Sequence, residues 1–406
     1  MTAAVEFRNI DILFPAAHMA RRRQRDAMRQ ALALLDGGAQ RMQIAEQTGI
    51  VVGVADASLS VEPGEISVLM GLSGSGKSTL LRAANGLNTV TRGQVLVGGA
   101  TGHAIDVAAC DRARLRQVRR ERIAMVFQQF GLLPWRTVRE NVGLGLELRG
   151  MSPTERQRIV DEKLALVGLR EWADRYASEL SGGMQQRVGL ARAFATEADI
   201  LLMDEPFSAL DPLIRTKLQD ELLSLQRQVR KTILFVSHDL DEALKLGNRI
   251  SILEGGRIVQ TGAPRDIVLR PINDYVSEFV RHMNPLNVLT GGMVMRRREE
   301  FVSDGELLWL GGARRYQLIL DERGACRAMR IDGVEAVVTP YENFDAASAG
   351  PNGVVVVAPE SLPLHRLIQL RQASGHPVLL AEDDVISGFC CENEIVRALA
   401  GRTQMP

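Results

Sequence analysis

A chain of 406 residues is long enough for two domains, each with a core of its own. Its 49 basic and 49 acidic side chains cancel, which removes the basic field expected of a nucleic-acid binder, so no nucleic-acid partner is expected. The N-terminus lacks the charged and apolar regions of a secretory leader, and no run of about 18 apolar residues could span a bilayer, which points to a soluble, cytoplasmic chain. Its four cysteines have no CxxC spacing and its six histidines are scattered, so reduced thiols are expected rather than a zinc site or disulfides.

In chain order, the first feature is a segment from Ala16 to Gly49, just after Phe14, that interrupts the first domain. This segment reads as two short helices with Gly37 and Gly38 as a C-cap between them. Met28, Ala31, Leu32 and Leu35 form an apolar stripe, and Arg21, Arg22, Arg23 and Arg25 charge its start. Such a helix either lies on a membrane surface or packs its stripe under a solvated basic face.

Next come Ile66 to Met70 and the loop Gly71-Leu72-Ser73-Gly74-Ser75-Gly76-Lys77-Ser78, with a helical run starting at Ser78. Strand, G-x-x-x-x-G-K-[ST] and helix together make a phosphate loop. Glycines let successive N–H groups face phosphate oxygens, and the helix N-terminus adds its positive end. Lys77 is expected at the β- and γ-phosphates, the Ser78 hydroxyl on Mg²⁺, and Thr79 at the α- or β-phosphate.

Further apolar runs follow at Ile123 to Gln128, Ile200 to Glu205, Thr232 to Asp239 and Arg249 to Gly256. Continuous in Val, Ile and Leu, they predict a largely parallel sheet covered by helices on both faces, an α/β domain. The run at Ile200 ends in Asp204 and Glu205, two acids at the carboxyl edge of that sheet. Asp204 is the expected Mg²⁺ partner, and Glu205 is expected to orient or deprotonate the attacking water. Beyond Arg281 the pattern changes to shorter strands, which places a domain boundary near Met283 to Pro285. The division expected is 1–283, with a helical insertion at about 16–50, and 284–406.

"ELSGGMQQRVGLARAF" (Glu179 to Phe194), "VFQQF" (Val126 to Phe130), "MDEPFSALD" (Met203 to Asp211) and "VSHD" (Val236 to Asp239) join the phosphate loop in a set that resembles an ABC transporter ATPase subunit. The resemblance implies a P-loop NTPase fold and a homodimer that binds ATP and Mg²⁺. It implies that Gln128 contacts Mg²⁺ and the attacking water, that His238 touches the γ-phosphate, and that Asp211 couples the two halves. Ser181, Gly182 and Gly183 correspond to the signature that closes over ATP held by the opposite subunit. The helix expected from Met184 to Ala195 makes that a second anion site. Phe14 is the expected adenine-stacking aromatic, with core packing as its competitor.

The same resemblance implies work on membrane partners: transmembrane permease subunits and an extracytoplasmic substrate-binding protein, with the chain peripheral on the cytoplasmic face of the inner membrane. The insertion, with Met70 to Gly99 and Arg119 to Val142, is similar to the ATPases of glycine betaine, proline and choline importers. Uptake of a quaternary amine is the expected function; an amino-acid or polyamine importer, or an ATP-dependent regulatory dimer without transport, are the alternatives. Ser361 to Gly401 resembles one cystathionine-β-synthase repeat, with Cys391 where a serine or threonine is usual and Glu394 where a ribose-binding aspartate is usual. A first repeat near Arg314 to Val337 is scarcely recognisable. The tail is expected to sense nucleotide or ionic strength, or to dimerise the subunit.

Overall fold

Strands Ile66–Met70, Ile200–Asp204 and Thr232–Val236 are buried at every position, the pattern of a sheet with helices on both faces. The computed structural model describes residues 3–16, 19–98, 104–128, 130–281, 286, 289–304, 307–310, 314–344 and 353–400. The chain divides into two compact units, Met1–Ile267 with Pro271–Val276, and Val268–Arg270 with Ser277–Pro406. The exchange thus falls before Met283–Pro285, which lies outside the described residues.

In the first unit the main sheet runs Arg257–Gly262, Arg249–Glu254, Ile66–Met70, Thr232–Val236, Ile200–Asp204, Ile123–Val126. All neighbours are parallel except the Arg257–Gly262 edge. This order sets Ile66–Met70, Thr232–Val236 and Ile200–Asp204 side by side. Their carboxyl ends therefore release Gly71, Ser237 and Glu205 at one edge of the sheet.

An antiparallel sheet, Ile50–Val61, Val5–Pro15, Arg92–Val97 and Ile105–Asp106, shares a core with it. Phe7, Ile10, Ile12, Val54, Leu80, Leu81, Leu202 and Leu234 meet there. Helix Lys77–Ala83 contributes Leu80 and Leu81, both fully buried, each worth about 1.5–3 kcal/mol. That packing anchors the phosphate loop from behind.

The insertion forms the two expected helices, Arg21–Asp36 and Arg41–Thr48. Gly37 caps the first, and Gly38, at φ +80°, takes the left-handed turn between them. Ala31 and Leu35 are buried with Leu13, Ile44, Ile50, Val52 and Ala55, and Met28 and Leu32 pack against the same cluster. The apolar stripe is thus spent on the antiparallel sheet, while Arg23 and Arg25 stay exposed. The side chains of Arg21 and Arg22 lie outside the described set.

Helices Val138–Leu148, Pro153–Leu166 and Gly182–Ala195 pack together, each started by a hydroxyl cap from Thr137, Ser152 or Ser181. The last begins two residues before the sequence places it.

The second unit is built on a sheet in the order Arg296–Arg297, Val385–Cys390, Val378–Glu382, Val354–Pro359, Val334–Pro340, Cys326–Ile331, Tyr316–Leu320, Leu307–Trp309, Val302–Asp304. Leu318, Met329, Val355, Leu379 and Phe389 form its core. Leu364–Ser374, Val378–Glu382, Val385–Cys390 and Glu392–Ala400 give helix, strand, strand, helix, the order read for Ser361 to Gly401. The stretch Arg314 to Val337 instead enters an antiparallel meander of Tyr316–Leu320, Cys326–Ile331 and Val334–Pro340.

Candidate nucleotide site

Two glycines of the phosphate loop are required by close packing. A Cβ at Gly71 would lie 2.2 Å from the Leu253 carbonyl oxygen and one at Gly76 2.5 Å from that of Gly53, and both residues have positive φ, +143° and +100°. Tyr275 pins the loop further: its hydroxyl accepts the Leu72 N–H at 3.4 Å and donates to the Leu253 carbonyl at 3.3 Å. Lys77 donates from Nζ to the carbonyls of Gly71 at 2.8 Å and Leu72 at 2.9 Å. Burial pushes the pKa of this ammonium down, and the charges of Glu205 and Asp204 oppose that.

Asp204 is fully buried and its two oxygens are occupied by different partners. Oδ1 accepts the Ser78 hydroxyl at 2.6 Å, and Oδ2 takes Nε and Nη2 of Arg82 at 3.0 and 2.8 Å. The bidentate guanidinium compensates a carboxylate that burial would otherwise penalise. Glu205, at φ +48°, is held in the left-handed region, which costs about 1 kcal/mol or more for a residue with a Cβ. Its Oε2 accepts from Gln128 Nε2 at 3.1 Å and lies 3.3 Å from His238 Nδ1.

These groups surround a cleft of about 360 Å³ lined by Ser73, Gly74, Gly76, Lys77, Ser78, Thr79, Gln128, Glu205 and His238. A larger cavity, about 570 Å³, lies among Arg122, Lys163, Arg230 and Lys231, and none of the sequence-predicted site residues lines it. The smaller cleft is the one with the phosphate loop and the two acids beside it. Ser78 Oγ and Asp204 Oδ1 are hard oxygen donors, and among the described residues no group of three His, Cys, Asp or Glu converges on a metal. A cation at Ser78 and Asp204 would complete its shell from phosphate and water, which fits Mg²⁺.

Phe14 lies at the end of strand Val5–Pro15 with its side chain partly exposed, 38%. Its Cε2 and the Thr79 Cγ2 both crowd the same point, 2.7 and 3.1 Å from where a Cβ at Gly53 would stand. Only a glycine at 53 lets the ring approach the phosphate-loop helix.

Ser181, Gly182, Gly183 and Asp211 do not line the cleft. Ser181 caps the exposed start of helix Gly182–Ala195, accepting the Met184 N–H at 3.4 Å, and Asp211 caps Pro212–Val229, accepting the Ile214 N–H at 3.0 Å. The signature residues thus stand outside the cleft that this chain's own phosphate loop lines.

Several contributors escape sequence reasoning. Gln186, 1% exposed, donates to the Glu205 carbonyl at 3.1 Å and accepts the Ala209 N–H at 3.1 Å. Arg192 on the same helix donates to the carbonyls of Gly131 at 2.6 Å and Phe130 at 3.0 Å, fixing the segment after Gln128. Arg82, four residues beyond Ser78, was findable from its helical spacing. Tyr275 and Gln186 carry no local signal.

In the second unit Glu394 is 5% exposed and committed within the fold. Oε1 pairs with Arg296 Nη2 at 2.8 Å, while Oε2 accepts the Cys391 N–H at 3.1 Å and the Cys391 thiol. Burial pushes the Cys391 thiol up, and the Glu394 contact pushes it the same way.

Residues 54–208 match the profile of the family described as ABC transporter. The chain is 43% identical over 385 residues to the glycine betaine/proline betaine transport system ATP-binding protein ProV of Escherichia coli strain K12, spanning 91% of this chain and 93% of that one. It is 41% identical over 377 residues to the glycine betaine/carnitine transport ATP-binding protein GbuA of Listeria monocytogenes serotype 1/2a, spanning 92% and 94%. Among solved structures, the dimeric post-hydrolysis state of the ATP-binding cassette MJ0796 bound to ADP and Pi is similar, with a TM-score of 0.53 and 30% identity over 64% of this chain and 98% of that one. With over nine-tenths of both sequences aligned to ProV and the phosphate loop, Gln128, Glu205 and His238 gathered in one cleft, the chain belongs to the ABC transporter family, as an ATP-hydrolysing subunit in the group of the glycine betaine transport ATP-binding proteins.

Proposed function

We propose that two copies of this chain bind and hydrolyse MgATP at their shared interface and energise import of a quaternary amine such as glycine betaine or choline. The observation that carries the substrate class is the similarity to ProV, which extends over 91% of the chain and so reaches well beyond the 54–208 stretch shared with ABC transporters at large. Permease subunits and an extracytoplasmic substrate-binding protein complete the system. ATP is cytoplasmic, so the subunit works peripherally on that face; no described helix is long and apolar enough to cross a membrane itself.

Within the cleft, the loop N–H groups and Lys77 bind the β- and γ-phosphates, and Thr79 the α- or β-phosphate. Ser78 and Asp204, with Gln128 beside them, would hold Mg²⁺, which would supply charge neutralisation to the phosphates. Glu205, aligned by Gln128 and His238, orients the attacking water and accepts its proton. His238 Nε2 is free to approach the γ-phosphate, because Nδ1 faces Glu205. Phe14 stacks on adenine. The signature residues Ser181, Gly182 and Gly183 close on the partner's nucleotide, with Asp211 at the junction, so neither copy alone completes a site. Hydrolysis removes the bridge between the copies, and their separation drives the permease.

The C-terminal unit, at 284–406 by the sequence reading, dimerises or regulates the subunit. The commitment of Glu394 to Arg296 and Cys391 supports a role other than ribose binding.

The test is uptake of labelled glycine betaine and choline by cells carrying the whole system with either the intact chain or Lys77→Ala. Loss of uptake of one amine in the variant is expected. Equal uptake of both amines would redirect the cargo to amino acids or polyamines, and uptake of those too without the chain would favour a regulatory dimer.

A further inference from the structure

The helical insertion reaches the phosphate loop through the side chain of Arg41. Arg41, the first residue of helix Arg41–Thr48, donates from Nη1 to the Gly74 carbonyl at 3.1 Å. No carboxylate among the described residues pairs with it. Its guanidinium is partly buried, and burial lowers its pKa with no acid to offset the effect. A partly desolvated cation without a counter-charge is unfavourable unless an anion is brought to it. The loop it touches is one built to receive phosphates.

The position of the helix supports the same reading. The insertion leaves the antiparallel sheet after Pro15, next to Phe14, and returns to it at Ile50, and between these points Arg41 lies against the loop. The Cδ of Arg41 is also 4.0 Å from where a Cβ would stand at Gly255, in the turn whose neighbour Gly256 donates its N–H to the Ser75 carbonyl at 3.0 Å. The carbonyl that Arg41 holds belongs to the Gly74–Ser75 peptide unit, in the middle of the glycine turn. Fixing that unit restricts how the loop presents its N–H groups.

We propose that Arg41 is a positioning residue of the nucleotide site: it fixes the Gly74–Ser75 peptide and lends its positive charge to the polyphosphate of ATP, so that the insertion sets nucleotide affinity. This rests on the reading of the cleft as the ATP site. The role differs from that of Lys77, which reaches the transferred phosphate. Arg41 therefore acts on binding and leaves the chemical step to Glu205 and its partners.

The experiment measures ATP binding, KM, kcat and the melting temperature of the full-length chain and its Arg41→Ala, Arg41→Lys, Arg41→Gln and Lys77→Ala variants. Arg41→Ala is expected to raise both Kd and KM for ATP about tenfold and to leave kcat within about twofold. Arg41→Lys is expected to recover part of the loss, since it keeps the charge and not the fork. Arg41→Gln, which keeps a donor for Gly74 and removes the charge, carries the test if Arg41→Ala melts early. Kd equal to wild type in Arg41→Gln and Arg41→Ala overturns the proposal, as does a fall in kcat at unchanged KM. If wild type and Lys77→Ala bind ATP equally, the ATP reading of the cleft fails and the Arg41 role falls with it; if they differ while Arg41→Ala matches wild type, only the Arg41 role falls.

Discussion

The side-chain amide of Gln186 donates to the main-chain carbonyl of Glu205 at 3.1 Å while accepting the Ala209 N–H, so the signature helix holds the residue assigned to water activation. The face at the start of that helix is assigned to the partner's nucleotide, which makes Gln186 a link between the two sites of a dimer. Gln186→Leu is expected to remove the Gln186 hydrogen bonds to the Glu205 carbonyl, which still accepts the Ser208 hydroxyl at 3.0 Å, and to the exposed Ala209 N–H, at a cost of about 1 kcal/mol. ATP turnover should fall about tenfold or more and the Hill coefficient for ATP toward one, with Kd little changed. A wild-type Hill coefficient in the variant would refute the link.

Glu205→Gln keeps the shape of the side chain and an oxygen for Gln128, and removes the base. The variant is expected to bind ATP, to dimerise in its presence, and to hydrolyse it at least about a hundredfold more slowly. Size-exclusion chromatography and single-turnover hydrolysis check this together. Normal turnover would remove Glu205 from its role.

Arg82 balances the charge of fully buried Asp204. Its side chain is 38% exposed, so the usual penalty for breaking a buried ion pair must be discounted, to about 1–3 kcal/mol. Arg82→Ala should lower the urea midpoint accordingly and shift the Mg²⁺ concentration for half-maximal turnover. Arg82→Lys should restore only part of either, because a lysine cannot match both bonds to Oδ2.

Glu242, 8% exposed, accepts hydrogen bonds from Ser237 Oγ and from Gln219 Nε2. Burial raises its pKa above 4.5, outweighing those hydrogen bonds. An acid whose folded pKa is raised binds its proton more tightly in the native state. Its contribution is therefore fully present below the unfolded value and lost as pH rises through the folded one. Relative to wild type, Glu242→Gln should gain on the order of 1 kcal/mol between pH 4 and pH 8, read from urea midpoints across that range. A gap that stays constant with pH would show that Glu242 titrates normally.

Legibility in the sequence followed the range of each signal. The phosphate loop and the acids closing Ile200–Asp204 announce themselves within a few residues. The two insertion helices were equally plain, but their apolar stripe left membrane and core as alternatives. Packing of Ala31 and Leu35 with Leu13 and Ile50 decided for the core. The helix Asp274–Arg281 runs across the exchange between the two units, and helical periodicity has no mark for a domain edge.

By itself the sequence determined which residues can hold a phosphate, a cation and a water, since those capacities belong to residue type and short spacing. Tertiary structure decided which of them meet. Ser78 and Asp204 stand 126 positions apart and Gln128 and Glu205 77 apart, yet both pairs are hydrogen-bonded. They converge because the sheet order sets the ends of Ile66–Met70 and Ile200–Asp204 on either side of Thr232–Val236, an arrangement fixed by burial of whole strands rather than by local preference. The same packing brings Gln186 under Glu205 and Arg41 onto Gly74, where contact depends on helix docking over distances that no motif spacing encodes.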